Sequence, residues 1–282
     1  MVVDPAAKAI EGVLRVRAPE LDKCADCVFV DGEIRGSAVR PTPAEIGEIL
    51  VAGGPLTAAY VCVGDDAGAL SAAATLQSLL RSTNVDRPAI FVRLREAGML
   101  ASAAGAPGEG LKGLTPFGDI RAVLDASDFL AGQPDAAARA YHKAYCDSLG
   151  PDAAGPAAKP WDELDETYRR ANRNVVAHIP AKLASGGIEV AVGPHELPRL
   201  APGQRLFTGK AELEGLAALE HERWSAERRT DGWRVAPDGE PQDRVRRLHP
   251  DLRPYADLSD ATQEYDRVMI RKTQEICGGP SD

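Results

Sequence analysis

The chain has 282 residues, long enough for two domains of about 100 to 150 residues that each bury a core. Its hydrophobic fraction of 44% and charged fraction of 27% are ordinary for a globular protein, and a formal net charge of -9 argues against a general nucleic-acid binder. No stretch approaches the roughly 18 to 20 apolar residues that span a bilayer, and the N-terminus lacks a signal peptide's charged start and apolar core. The expected location is therefore the cytoplasm, with no membrane insertion by this chain.

In chain order, Val2-Val3-Asp4, then 27–31, Tyr60-Val61-Cys62-Val63 and 89–94 are short apolar runs rich in β-branched residues. Such runs form buried parallel strands. Between the last two, residues 67–81 place Leu70, Ala73, Ala74, Gln77 and Leu80 at helical spacing. Strand, helix, strand is the unit of a doubly wound sheet, and the turn Gly64-Asp65-Asp66 sits at the carboxyl edge where such sheets bind ligands. Asp4, Asp65 and Asp66 are candidates to line a cleft there, with turn and cap roles as the simpler reading. Cys24 and Cys27 form a CxxC with no second pair at zinc-ribbon spacing, and five cysteines in a chain of this length fit reduced thiols. Residues 98–119, rich in Gly, Ala and Pro, read as a mobile loop docked by Phe117.

Residues 136–148 predict a helix that closes the first domain, with Tyr141 and Tyr145 available to meet a second subunit. Residues 150–160 read as a Pro/Ala/Gly linker. The domains expected from this pattern are 1–149 and 161–282, joined by 150–160.

Beyond the linker, Asp162 is a fair N-cap for a helix in which Leu164, Tyr168, Val175, Ile179 and Leu183 recur at helical spacing, with a kink at Pro180. In the next helix Leu213, Ala217, Glu220 and Trp224 share one face, so a carboxylate interrupts a core-facing stripe. It needs either a basic partner inside the fold or a pocket whose ligand supplies a donor. A third helix over 261–276 is expected to turn Tyr265, Val268, Met269, Lys272 and Ile276 inward, and 234–254 is expected to be mostly loop.

Arginines crowd the segment from Arg223 to Arg247, as a phosphate-binding pocket or as solvated helix faces. Trp161, Trp224 and Trp233 are either core residues or stacking platforms. An aromatic plane beside arginines and one carboxylate suits a nucleotide, with the ring taking the base and Arg the phosphate. The candidate ligand-binding residues are Arg173, Arg223, Trp224, Arg228 and Trp233, with Glu220 as acceptor. His178, His221 and His249 show no HExxH or paired-ligand spacing, and GxSxG and P-loop motifs are absent from the sequence. No catalytic residue, metal site or cofactor is expected, and the chain is not expected to be an enzyme.

The block Glu220-His221-Glu222-Arg223-Trp224, with Trp161-Asp162-Glu163-Leu164, Arg170-Ala171-Asn172-Arg173, Ala177-His178-Ile179 and Leu248-His249-Pro250-Asp251-Leu252, resembles the RyR domain, a module named after the ryanodine receptors and also found in bacterial proteins. The resemblance covers about 161–276 and implies a small, mainly α-helical domain appended for regulation. The N-terminal half is similar to the NAD-binding TrkA-N or RCK domain, a Rossmann-like α/β fold. In that family a first strand leads into a Gly-rich phosphate loop, whereas Val2-Val3-Asp4 here resembles the second strand and its acid. The half then reads either as a piece of a longer protein or as a Rossmann-like scaffold that no longer binds a dinucleotide.

Together the two resemblances imply a regulatory ligand sensor, a homodimer or higher oligomer that binds a cyclic nucleotide or an NAD or ADP-ribose derivative in bacterial stress or antiphage signalling. The alternatives are a non-enzymatic interaction or oligomerisation module, and an NAD-responsive subunit of a cation transport system.

Overall fold

The structure, a computed structural model, describes residues 1–34, 42, 44–45, 48, 56–82, 88–96, 113–119, 135–149, 155–188 and 197–278. Two compact units emerge, residues 1–16 with 26–132, and residues 17–25 with 133–282.

The first unit is α/β. Strand β1 (Val2–Asp4) pairs in parallel with β2 (Phe29–Asp31), and helix α1 (Ala7–Arg17) lies between them in sequence. Strands β3 (Ala58–Val61), β4 (Ala89–Arg93) and β5 (Leu114–Phe117) form a parallel sheet in that order, with helix α2 (Asp66–Ser82) connecting β3 to β4. The expected Rossmann-like parallel architecture is thus present. Alanine decides how α2 docks: Ala69, Ala72 and Ala73 are buried, which lets the helix lie close on Val61, Ile90, Val92 and Leu114. Asp65 accepts the Gly68 N–H at 2.7 Å at the start of α2, and Asp66 accepts the Arg95 and Glu96 N–H groups at 2.9 and 3.1 Å. Asp4 likewise accepts the Ala6 N–H at 2.7 Å, so Asp4 and Asp65 serve a turn and a cap, whereas Asp66 ties the chain leaving β4 to the start of α2.

Leu114 to Phe117, expected as part of a loop, is instead the edge strand β5. Pro116 disguised it, because a residue that cannot donate to a ladder is tolerated only at an edge or bulge. Residues 98–112 of that expected loop lie outside the described residues. The sheet's other face is aromatic, with Tyr60 stacked on Phe91 at 4.9 Å and Phe117 edge-on to Tyr60 at 6.0 Å.

The second unit is mainly helical. Helix α3 (Ala136–Leu149) is the helix expected to close the first domain, yet it packs here against α4 (Glu166–Ala177) and α7 (Asp260–Ile276). The chain's contacts therefore divide near 132 rather than within 150–160. Tyr141, read as available to meet a second subunit, is 1% exposed in the second unit's own core, because its helix is covered by both α4 and α7. Asp162 lies in a short 3₁₀ turn, Trp161–Glu163, and the N-cap of α4 is Asp165.

The expected kink is a full break: α4 ends at His178 and α5 (Ile179–Ser185) restarts with Pro180 in its first turn, where a missing N–H costs nothing. Helix α6 (Lys210–Thr230) is the spine, entered by Thr208, whose N–H and hydroxyl both donate to Glu212. Between α6 and α7 the chain forms a short parallel pair, β6 (Arg234–Val235) and β7 (Leu248–His249), and a 3₁₀ turn, Tyr255–Asp257.

Helix α7 is capped by Ser259, which accepts the Thr262 N–H at 3.2 Å. Its core face carries Ile270, Thr273 and Gln274, whereas Tyr265, expected inward, is 75% exposed. Met269 and Ile276 of the expected inward set do pack against the core, and Arg267, which was not expected there, is buried and donates to Glu214 of α6 at 2.9 Å. Gln274 accepts the Leu206 N–H at 3.1 Å, which holds the chain entering α6.

Arg173 locks α4 to the start of α3, donating to both oxygens of Asp135 at 2.7 and 2.8 Å and also to Glu166. Because the guanidinium is partly exposed, Arg173→Ala should lower stability by only about 1 kcal/mol in urea unfolding. A loss several times larger would show that this clamp, rather than apolar packing, holds α3 in the second unit.

Candidate ligand-binding site

Helix α6 turns Leu213, Leu216, Ala217, Glu220 and His221 into the unit. Glu220 is 2% exposed, and its demand for a partner is met from inside. Lys182 of α5, with no exposed surface, places Nζ 2.7 Å from Glu220 Oε2, and Arg223 one turn further along α6 donates to both carboxylate oxygens at 2.8 to 3.1 Å. Burial alone would raise the Glu220 carboxyl; Lys182 and Arg223 outweigh it and hold the group below its ordinary range. Arg223 also donates to Glu227 at 2.6 Å, so its own charge is balanced on the helix.

One residue on, His221 is 3% exposed. Its Nε2 lies 2.8 Å from the Arg253 carbonyl oxygen, which can only accept, and its Nδ1 lies 3.2 Å from Asp266 Oδ2. Two acceptors at the two nitrogens favour the imidazolium: desolvation opposes it, but the bonds to Asp266 and Arg253 raise the His221 pKa above its ordinary value. His249 is the opposite case, because Nδ1 accepts the Asp251 N–H at 3.2 Å and burial lowers its pKa. Two imidazoles shifted in opposite directions thus flank Trp224, at ring-centre distances of 5.5 and 4.9 Å.

Beside this wall opens a cavity of about 740 Å³, lined among others by Tyr145, Tyr168, Trp224, Val268 and Met269. The charged groups on its wall are largely paired among themselves: Glu220 with Lys182 and Arg223, Asp266 with His221, and Glu264 with Arg267 and Arg271. What remains open is aromatic and apolar surface, with one unused donor at its edge. Arg228 lies over two rings, 5.8 Å from Trp224 and 5.6 Å from Trp233, and its buried Nε has no hydrogen-bond partner.

Of the six residues expected at a site, the structure brings Glu220, Arg223, Trp224 and Arg228 to one cavity. Trp233 lines an adjoining cavity that shares Tyr168, Trp224 and Arg228 with the first. Arg173 lies at neither, being held by Asp135 and Glu166. Glu220 is a counter-ion rather than a free acceptor, since both its oxygens are engaged. Trp161 lines neither cavity; it is buried against Arg139 and behind His142, which lines the first. Tyr145 and Met269 were not anticipated as wall residues. Lys182 was missed too, although its signal was the same as that of Glu220: a charge between Ile179 and Leu183 on an apolar stripe.

Residues 210–277 match the family model of the RyR domain. The match runs from the first residue of α6 through β6 and β7 to just past α7, so α4 and α5, which the sequence resemblance also included, lie outside it. No curated protein matches the chain. Among the described residues no helix is long and apolar enough to cross a membrane, and no three His, Cys, Asp or Glu side chains gather as a metal site.

Glu220→Ala would leave Lys182 buried without its anion and should destabilise the protein by about 3–5 kcal/mol. Converting the pair together, Lys182→Met with Glu220→Gln, should recover most of that loss; urea unfolding of the three proteins decides. His221 carries a raised pKa and Asp266 is raised by desolvation, so each contributes stability at low pH that is lost as pH rises through its folded pKa. Asp266→Asn should therefore differ from the parent most near about pH 6 and progressively less above it. A melting-temperature difference that stays constant across that range would contradict a charged His221.

Proposed function

We propose that the second unit is a ligand-sensing module and that the cavity at Trp224 takes the planar part of a nucleotide-derived small molecule, such as a cyclic nucleotide or an NAD or ADP-ribose derivative. The observation that carries this reading is the combination at one wall: an indole face, a guanidinium over it with an unpartnered buried Nε, and a cavity of about 740 Å³ beside both. That volume falls within the roughly 300–1,000 Å³ of small-molecule sites, which are largely apolar with a few fixed polar groups. With the other charges on its wall paired among themselves, the body of the cavity favours an uncharged ring, and Arg228 at its edge is the cation left for a ligand's polar group. On this reading the chain is not an enzyme and works in the cytoplasm.

The parallel-sheet unit is assigned the part of a TrkA-N-like scaffold in this proposal, assembling subunits and passing on the state of the helical unit, in a stress or antiphage response. A second reading, a protein-interaction or oligomerisation module, is favoured by one specific feature, the exposed rings of Tyr60 and Phe117 around the half-buried Phe91 on the sheet. It also admits the alternative in which the chain serves as a regulatory subunit beside a transport protein.

Calorimetry against cyclic dinucleotides, ADP-ribose, NAD and adenosine tests the sensor reading. At least one should bind at micromolar concentration, and Trp224→Ala should weaken it by about tenfold or more, as expected for loss of a stacking surface. If none binds, and Tyr60→Ser changes the oligomer mass in sedimentation, the interaction reading replaces it.

A further inference from the structure

The second cavity, about 1030 Å³, differs from the first in chemistry. Five arginines line it against three carboxylates: Arg17, Arg170, Arg228, Arg244 and Arg247 face Asp165, Glu166 and Asp231. Pairing removes part of each set. Arg170 binds Asp231, and Glu166 is taken by Arg173 from outside the cavity. Four guanidinium groups then face one carboxylate, Asp165. Their other contacts are neutral: Arg244 donates to the Tyr168 hydroxyl at 3.2 Å, Arg247 to the Asp231 carbonyl, and Arg228 lies on two indoles.

The backbone is arranged to make these groups converge. Arg247 is the sole non-glycine with a left-handed backbone among the described residues, at φ 53. Gly232, at φ 85, lets the 17–25 segment approach so closely that a Cβ there would lie 2.9 Å from the Arg17 carbonyl oxygen and 3.1 Å from Arg247 Nη1. The same segment is fastened by Glu20, which accepts from Arg229 at 3.1 Å. Arg17 comes from outside the family match and Arg247 from the loop within it, yet both end at one cleft.

We propose that the arginine cleft binds a phosphate chain and that the two cavities are halves of one site, so that the ligand class is a nucleotide carrying a diphosphate. This deepens the sensor reading and rests on it for the base half. Tyr168, Trp224 and Arg228 belong to both walls, so a base against the first face of Trp224 delivers its phosphates past Arg228 to Arg17, Arg244 and Arg247. Guanidinium groups with spare donors suit phosphate oxygens, and the excess positive charge lies only on this side of the Trp224–Arg228 wall.

Three probes and one variant test this by calorimetry on the full chain: inorganic pyrophosphate, adenosine and ADP, with the double substitution Arg17→Gln and Arg244→Gln. Both residues are exposed, so folding should be retained, which circular dichroism verifies. Pyrophosphate should bind the parent protein and weaken as salt is raised, and ADP should bind about tenfold or more tighter than adenosine. The double variant should lose about tenfold or more for pyrophosphate and ADP while adenosine is unchanged. Failure of pyrophosphate to bind, or equal binding by parent and variant, overturns the phosphate cleft. ADP no tighter than adenosine overturns the joining of the two halves. Pyrophosphate binding that follows the variant while adenosine never binds leaves the cleft standing and removes the base cavity, and with it the reading of the previous section.

Discussion

A glutamate almost wholly withdrawn from water, held between a fully buried lysine and an arginine on its own helix, organises the helical unit. Burial of one charge is prohibitive and burial of two is tolerable only when geometry is good and the remaining lone pairs are occupied. Glu220 meets that condition with Lys182 from α5 and Arg223 from α6. The pair therefore does more than add attraction: α5 cannot shift along α6 without stranding a charge, so the register between the segment outside the family match and the segment inside it is specified by electrostatics, while Ile179, Leu183, Leu213 and Ala217 supply the apolar contact.

The same economy of charge shapes the surroundings of Trp224. Each ionic group on the first cavity's wall that is pinned by a neighbour ceases to attract a ligand charge, and what is left exposed is ring and thioether surface. Across Trp224 and Arg228 the balance reverses, since arginines there outnumber the carboxylates free to answer them. A site with an uncharged aromatic half and a cationic half discriminates by the order of chemical groups in its ligand. Neither half would do so alone. His221 and His249 add an asymmetry on the two sides of one indole, since hydrogen-bond acceptors raise the pKa of the first and burial lowers that of the second.

Much of this was legible from residue pattern. The strands of the first unit, the helix between β3 and β4, the restart at Pro180 and the interrupted stripe at Glu220 all follow from local rules of periodicity and backbone chemistry. Errors arose where a local signal competed with a neighbour distant in sequence. Pro116 made an edge strand look like loop. Tyr265 looked like core from its spacing, but it lies outside the face that Met269, Ile270 and Ile276 turn to the core and is exposed. Helix α3 looked like the end of one domain because its boundary residues are Gly- and Pro-rich, whereas its buried face, led by Tyr141, belongs to the other unit.

What the sequence determined by itself was the inventory: parallel strands at the start, amphipathic helices at the end, one charge out of place on an apolar face, and indoles and arginines crowded into one segment. Only the tertiary structure decided which charge answers which. Lys182 lies 38 residues from Glu220 by numbering, and Arg173, chemically as good a candidate as Arg228, was captured by Asp135. The physical reason is that a side chain's type is local but its partner is not. A guanidinium becomes either a structural tie or a ligand donor according to whether a carboxylate from another segment reaches it first.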